Sequence, residues 1–364
     1  MTKSVLICIV FLFFMQCGNA VAPDTTNSEN SKSSDTNPIV TGNGKPAHIR
    51  LKSLTASKLT VNGAGGEEFA TITYNVTDST GRTAIDGALI RFVISCSDSV
   101  AKLLYDSDTV KNGQVHCHLY SGKASGAVSI TAVYFERIGE IIAFAEAVPI
   151  MVCSGAPVAS RFAVQLTRCN IPAKSGETLK AIAYCADKYG NPSSGAMVHF
   201  STTTGLVLPG MLSDSAGKAF SDLTVYAPFP DSSKGSISAS TFDINGSKLL
   251  STFSFVISGS PEITFHNATD TFNVSPNGEA LIRFSVADAK GLPLCAGTKI
   301  SLSLSGGGTL VGENDIIMPD VTTGHTSYST IFRDDGSGRR LVRLSISSTG
   351  VNGTTVKGIW GRVN

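Results

Sequence analysis

The chain has 364 residues, 42% of them hydrophobic and 16% charged, and its 29 Lys and Arg against 28 Asp and Glu leave a formal net charge of +1. Near neutrality without a basic cluster argues against nucleic acid as a partner, and the length accommodates several domains of about 100 residues. No long amphipathic helical pattern runs through a chain rich in Gly, Ser, Thr and Val, so short strands and tight turns are expected.

The first element is Val5 to Met15, 11 residues without a charge behind Lys3. A bilayer about 30 Å thick takes about 20 apolar residues to span, so this run reads as a secretory signal. The stretch Phe14-Met15-Gln16-Cys17-Gly18-Asn19 resembles the lipobox of bacterial lipoproteins, with Gln16 standing where a small residue is usual and Phe14 where Leu is usual. The resemblance implies a signal peptide over residues 1–17 and lipidation of Cys17, which makes a membrane the first partner. Gly18-Asn19-Ala20 and Ala20-Val21-Ala22 leave an ordinary signal-peptidase cut open, with Cys17 discarded. Residues 18–44 are Ser-, Thr-, Asn- and Asp-rich and offer little to bury, so they are expected to form a disordered polar tether.

A threefold repeat fills the remainder. Tyr184 to Phe200 reads as strand, turn and strand around Asp187-Lys188-Tyr189-Gly190-Asn191-Pro192, and its skeleton recurs at Asp78 to Phe92 and at Asp288 to Ile300. The three aspartates stand 109 and 101 residues apart. In Asp-x-x-Gly-x-Pro the Asp folds back on its own backbone, the Gly supplies a positive φ and the Pro fixes the exit. A second marker follows in each copy (Asp108 to Gly113, Asp214 to Gly217, Asp320 to Gly324), and a third precedes it (Gly44-Lys45-Pro46, Gly155-Ala156-Pro157, Gly259-Ser260-Pro261). A self-similar period near 100 is one domain copied three times. The boundaries are 45–153, closing in an apolar strand from Glu140 to Val152; 156–257, closing in Leu249 to Val256; and 260–364, closing in Thr355 to Trp360. Strands punctuated every 8 to 12 residues or so predict a β-sandwich in each, and the short Pro-containing joints favour a semi-rigid rod.

Asp187 to Pro192, Val198-His199-Phe200, Ser213 to Ala219 and Gly235 to Ala239 resemble the bacterial immunoglobulin-like group 1 module of the intimin and invasin adhesins. The match is best in the second copy and weakest in the first, where Arg82-Thr83-Ala84 replaces Asn-Pro. The resemblance covers nearly all of residues 45–364. It implies an all-β chain of three tandem immunoglobulin-like β-sandwich domains and a place outside the cytoplasm, and it fixes no ligand. The sequence shows neither the β-barrel that anchors such adhesins nor a terminal lectin-like domain.

Beyond Cys8 and Cys17 there remain Cys96, Cys117, Cys153, Cys169, Cys185 and Cys295. Strand phase puts Cys96 on a face with Ile90, Phe92 and Ile94, and Cys117 on a face with Val115 and Leu119, so a Cys96 to Cys117 disulfide is one expectation. It would close a loop of about 20 residues and contribute about 3 kcal/mol; the alternative is two buried thiols acting as small apolar residues. Cys185 replaces Val76 and Val286 of the sister copies and reads as core. Cys153 and Cys169 flank one linker without an expected bond, and Cys295 stands alone near a loop. His116 and His118 share one strand face opposite Cys117, so they read as a polar outer surface, with no metal site expected. Asp78, Asp187, Asp288 and Asp334-Asp335-Gly336 offer carboxylates that suit calcium, but turn formation explains them without an ion.

Gly-x-Ser-x-Gly, His-Glu-x-x-His and the phosphate-binding Gly-x-x-x-x-Gly-Lys-Ser/Thr are all missing from the sequence, and no cofactor is implied. The expected protein is therefore non-enzymatic: a surface-exposed lipoprotein of the cell envelope, most simply the outer membrane, otherwise secreted or periplasmic. Its immunoglobulin-like rod would serve adhesion or surface organisation through an unknown protein or glycan ligand. The second reading is an accessory carbohydrate-binding or substrate-capturing lipoprotein. One Trp and 8 Tyr, with Tyr184 and Tyr226 in strand-like runs, show no aromatic platform in the sequence itself.

Overall fold

Alternation of buried and exposed residues carries nearly every segment into strand. In Gln114–Ser121 the buried side chains are Val115, Cys117, Leu119 and Ser121, while His116 and Tyr120 face outward. The computed structural model describes residues 44–137, 140–267 and 271–364, all within the unit Thr41–Asn364. The signal run, Cys17 and residues 18–43 of the tether lie outside the described residues.

The first copy comprises β1 (His48–Leu54), β2 (Lys58–Thr60), β3 (Phe69–Thr77), β4 (Leu89–Ile94), β5 (Ala101–Leu103), β6 (Ser107–Thr109), β7 (Gln114–Ser121), β8 (Gly126–Arg137), β9 (Glu140–Phe144) and β10 (Val148–Cys153). One sheet has the order β1-β3-β7-β5 and the other β2-β10-β8-β4-β6, with β9 also paired to β8. The edge strand β2 runs parallel to β10, and all other pairings in this copy are antiparallel.

The second copy repeats this order with β11 (Phe162–Leu166), β12 (Asn170–Pro172), β13 (Glu177–Cys185), β14 (Met197–Thr202), β15 (Leu206–Val207), β16 (Gly210–Leu212), β17 (Lys218–Val225), β18 (Lys234–Phe242) and β19 (Lys248–Ser258). The third has β20 (Pro261–Phe265), β21 (Thr271–Val274), β22 (Glu279–Asp288), β23 (Lys299–Ser305), β24 (Thr309–Val311), β25 (Asp315–Ile317), β26 (Ser327–Arg333), β27 (Arg340–Gly350) and β28 (Gly353–Val363). The parallel edge pair returns as β12 on β19 and β21 on β28. The chain is thus all-β, three tandem immunoglobulin-like sandwiches.

Each sandwich closes over its own apolar cluster. Ile72, Tyr74, Ile90, Leu119 and Ile130 fill the first, Ile171, Phe200, Leu223 and Phe255 the second, and Phe284, Ile300, Phe332 and Leu344 the third. Burying one such side chain contributes about 1.5 to 3 kcal/mol, so each sandwich holds a core of its own.

One strand departs from expectation. The apolar run from Glu140 to Val152 is broken into β9 and β10, because the register on β8 slips by one residue between Phe144 opposite Val133 and Val148 opposite Ile130. Ala143 and Ala145 are buried on one side of the slip, and Val148, Ile150 and Val152 on the other. An extra residue inserted between two inward phases is a β-bulge.

Candidate interaction surfaces

The conserved skeleton of the three copies is a set of Asp turns whose carboxylates cap backbone N–H groups. Asp78 Oδ1 accepts from Thr80 N, Thr80 Oγ1 and Arg82 N at 2.8, 2.7 and 3.1 Å. Asp187 Oδ1 accepts from Tyr189 N at 2.9 Å and Asn191 N at 3.0 Å, and Asp288 Oδ1 from Lys290 N and Leu292 N, both at 2.9 Å. The glycine of each turn takes a positive φ: Gly81 80°, Gly190 92° and Gly291 76°. In the second and third copies the other carboxylate oxygen reaches the incoming linker: Asp187 Oδ2 accepts from Gly155 N at 3.0 Å and Asp288 Oδ2 from Gly259 N at 2.9 Å. Two of the sequence markers are therefore bonded to each other.

The same turn grips the preceding sandwich. Between the first and second copies, Lys188 Nζ and Tyr189 Oη each donate at 2.9 Å, to the carbonyls of Gly63 and Asn62. Asn191 Nδ2 donates to Lys123 O at 2.8 Å, and Asn191 Oδ1 accepts from Ser125 N at 3.1 Å. The Tyr189 ring packs against the first core, with Lys188 Nζ 4.9 Å from its centroid. Burial pushes the Asp187 carboxyl up, but hydrogen bonds from Asn191, Gly155 and Tyr189 outweigh it and hold the group below the ordinary carboxylate pKa.

Between the second and third copies, Lys290 Nζ plays the part of Lys188, donating to Asp231 O and Ser233 Oγ at 2.9 and 2.8 Å. A buried polar cluster completes this junction. Asn170, wholly buried, donates from Nδ2 to Pro293 O at 2.7 Å and accepts from Ser258 Oγ at 2.7 Å. Asp320 accepts from Cys169 N and Asn170 N at 2.9 and 3.1 Å. Asn352 Nδ2 donates to Ser258 O and Gly259 O at 3.0 and 3.1 Å, and Asn352 Oδ1 accepts from Cys295 N at 2.9 Å. Cys295 thus joins two copies rather than standing alone, with its Sγ 3.4 Å from Asn170 Oδ1 and 3.5 Å from Ser258 Oγ. Sequence patterning missed this cluster, since Asn and Ser at a strand end read as ordinary turn residues.

The far end of the third sandwich closes on itself. Arg340 Nη2 lies 2.6 Å from Asp334 Oδ1 and 2.7 Å from Asp335 Oδ1, while Asp334 Oδ2 accepts from Asn277 N at 2.8 Å.

All six cysteines of the described residues are free thiols, so the expected bond between Cys96 and Cys117 is not formed. Strand β4 ends at Ile94, and Cys96 lies beyond it, half-buried, with its Sγ directed to Ala101 O at 3.5 Å. Cys96 keeps the inward phase and packs against the edge of the first core, but its thiol is turned to the Ala101 carbonyl and not to Cys117. Cys117 and Cys185 are buried, and burial pushes their thiols up to about 12 and about 11.

The outer face of β3 and β7 carries the residues singled out around Cys117. His116 and His118 point away from the core, with Nδ1 of each 3.2 Å from Thr73 Oγ1 and Thr71 Oγ1 respectively. Phe69 stacks on His118 with centroids 5.6 Å apart and lies 4.8 Å from the Tyr120 ring. This aromatic group was not legible in the sequence, because Phe69 and Tyr120 are 51 positions apart and meet only through cross-strand register. Beside it, Tyr105, Ser107, Asp108, Thr109, Lys111 and Gln114 line a cavity of about 280 Å³ together with both histidines. Among the described residues no group of three or more His, Cys, Asp or Glu is placed to hold a metal ion.

No family model matches the chain, and no curated protein matches it. Among solved structures it is similar to the Escherichia coli adhesin FdeC, at 17% identity over 89% of this chain and 99% of that one, with a TM-score of 0.46. It is also similar to InvD of Yersinia pseudotuberculosis, at 13% identity over 87% and 97% of the two chains and a TM-score of 0.41. For invasin, a bacterial integrin-binding protein, identity is 15% over 87% of this chain and 60% of that one, with a TM-score of 0.30.

Proposed function

We propose that this is a non-enzymatic cell-envelope protein, held to the membrane by lipid on Cys17, whose three sandwiches are displayed at the cell surface for adhesion or surface organisation. The observation that carries this reading is the repeated junction. The Asp turns at 187 and 288 each bind their own linker through the carboxylate, while neighbouring turn residues, Lys188 and Tyr189 in one and Lys290 in the other, reach the preceding sandwich. Sandwiches joined by short linkers without such bonds would by default move independently. Bonded junctions instead tie the three sandwiches to one another beyond the tether, which suits a display role and serves no evident step in a reaction. The resemblance of residues 187–192 and 213–219 to the modules of intimin and invasin supports a place outside the cytoplasm, and the polar residues 18–43 suit a tether behind the lipid.

Protease shaving of intact cells, with the protein followed by antibody, tests this. Loss of signal supports surface display, and protection until the envelope is broken overturns it in favour of a periplasmic scaffold. In parallel, Cys17→Ser should release the protein from membranes in fractionation, and unchanged membrane association would count against the anchor.

A further inference from the structure

The three copies share register, so equivalent positions can be compared directly. Nine residues before each turn Asp stands the partner in one outward-facing cross-strand pair: Phe69 with Tyr120 in the first sandwich, Thr178 with Thr224 in the second, and Glu279 with Arg333 in the third. The pair is aromatic in one copy, hydrogen-bonded through hydroxyls 3.0 Å apart in another, and an ion pair at 2.7 Å in the last. Two residues along, His118 occupies the place of Asp222 and Ile331. One fold carries three chemistries here, so folding does not demand the aromatic and imidazole set of the first copy.

That set borders a cleft between β6 and β7, one from each sheet. Tyr105 stands at its rim, 67% exposed, and Tyr120 beyond His118 is 42% exposed. Asp108 is held in place by accepting from His116 N and Thr109 N at 2.8 and 2.9 Å. The side chains of Tyr105, Lys111 and Gln114, and Nε2 of both histidines, have no hydrogen-bond partner among the described residues. Flat exposed rings beside several unengaged neutral donors and acceptors match a ligand with apolar C–H faces and many hydroxyls. The single Lys111 and single Asp108 balance in charge, which favours a neutral ligand over an anion, and the rim lacks the deep apolar pocket that would anchor a peptide side chain. The larger cavity of about 630 Å³ near the last strand, lined by Arg339, Arg340, Leu341, Arg362, Val363 and Asn364, has no ring to offer.

We propose that this cleft of the first sandwich, built from Tyr105, Asp108, Gln114, His116 and His118 with Phe69 and Tyr120 alongside, binds neutral saccharide. The sugar ring stacks on Tyr105, and its hydroxyls are met by Gln114 and the imidazoles. The site rests on the display reading above and gives it a ligand class.

The test is binding of the full chain to immobilised galactose-, mannose-, glucose- and N-acetylglucosamine-terminated oligosaccharides, with unglycosylated peptides on the same surface. The expected result is saturable binding to at least one sugar, weakened about tenfold or more by Tyr105→Ala and by His118→Gln, and unchanged by Tyr226→Ala, an exposed tyrosine of the second sandwich. Tyr105 and His118 lie outside the core, and an unchanged circular dichroism spectrum would show that the variants fold. No binding to any sugar, binding indifferent to Tyr105→Ala and His118→Gln, or capture of peptides in place of sugars would overturn the assignment. Sugar binding with the protein protected from shaving would sink surface display and leave the site standing; shaving without sugar binding would do the reverse.

Discussion

Asp187 and Gly155 are joined by a 3.0 Å hydrogen bond across 32 residues of sequence, and Asp288 repeats the bond to Gly259 at 2.9 Å. One carboxylate therefore shapes a turn with one oxygen and seats the incoming linker with the other. Removing it leaves the N–H groups of Gly155, Tyr189 and Asn191 without their acceptor in a site where Asp187 is almost fully buried. Unsatisfied donors cost about 1–3 kcal/mol each when buried, less where water reaches them. Asp187→Ala should therefore destabilise the second sandwich by about 2–3 kcal/mol, and Asp187→Asn by less. The only tryptophan, Trp360, lies in β28 of the third sandwich. Urea unfolding followed by circular dichroism should show the loss for Asp187→Ala, while the Trp360 fluorescence midpoint moves little. A fluorescence shift as large as the dichroism shift would contradict the local role.

The depressed pKa of Asp187 adds a pH dependence with a definite sign. Its folded pKa lies below the unfolded value of about 3.9, so below that pH the unfolded chain binds more protons and stability falls. The contribution is complete above about pH 4 and is lost as the pH drops through the folded pKa. Denaturation of the second sandwich between pH 7 and pH 2 should show this acid loss, and Asp187→Asn should flatten it. An unchanged acid slope in the variant would assign it to other carboxylates.

Asn170 makes the second and third sandwiches depend on one another. Asn170→Ala strips partners from Ser258 and from the carbonyls of Pro293 and Leu294 in a buried cluster, and should cost about 2–4 kcal/mol. Its effect should fall on both copies, lowering the dichroism transition and the Trp360 fluorescence midpoint together. A change confined to the dichroism signal would show that the cluster serves the second sandwich alone.

The repeat, the fold class and the turn chemistry were legible because each rests on local rules: period-two alternation, a carboxylate capping its own turn, and a glycine at positive φ. Cys185 read as core for the same reason, and it is buried opposite Phe162. What escaped depends on register and on contacts between copies. Phe69 meets Tyr120 only because β3 and β7 pair as they do, and Asn170 finds Pro293 across 123 residues. The His116-Cys117-His118 alternation was the one available hint to the outer face, since Tyr120 continues its outward phase. Cys96 shows the opposite error: it does face the core, but a shared inward phase was taken for proximity of two thiols, and its Sγ is directed to Ala101 O instead.

The cysteines give a chemical check on the packing. Burial pushes the Cys117 thiol up to about 12 and the Cys185 thiol up to about 11, and thiolate, not thiol, is the reactive form. Native protein treated with iodoacetamide at pH 8 should be modified at half-buried Cys153 well before Cys117, Cys185 or Cys295, with all of them reacting in urea. Mass spectrometry of the unreduced protein should show no peptide linking Cys96 to Cys117; such a peptide would overturn the free-thiol packing.

Tyr74 tests how tightly the first core is specified. Its ring is fully buried and stacks near Phe92 with centroids 6.3 Å apart, while its hydroxyl has no hydrogen-bond partner among the described residues. Burial first, then the Cys117 thiol, pushes its pKa well above the ordinary tyrosine value. Second-copy Ala183 and third-copy Phe284 stand at the equivalent position, four residues before the turn Asp. The third sandwich thus fills the place with the same ring and no hydroxyl. Desolvating a hydroxyl without a compensating bond costs about 1–3 kcal/mol in proteins, and Tyr→Phe removes that cost while keeping the packing. Tyr74→Phe should therefore leave the first sandwich as stable or raise its stability by about 1 kcal/mol, read as the urea midpoint of the dichroism transition. Tyr74→Ala, by contrast, should cost about 3–5 kcal/mol, as for other large aromatic truncations. Destabilisation by Tyr74→Phe of more than about 1 kcal/mol would mean that the hydroxyl is bonded in solution, and the core would then be wetter at this point than its packing indicates.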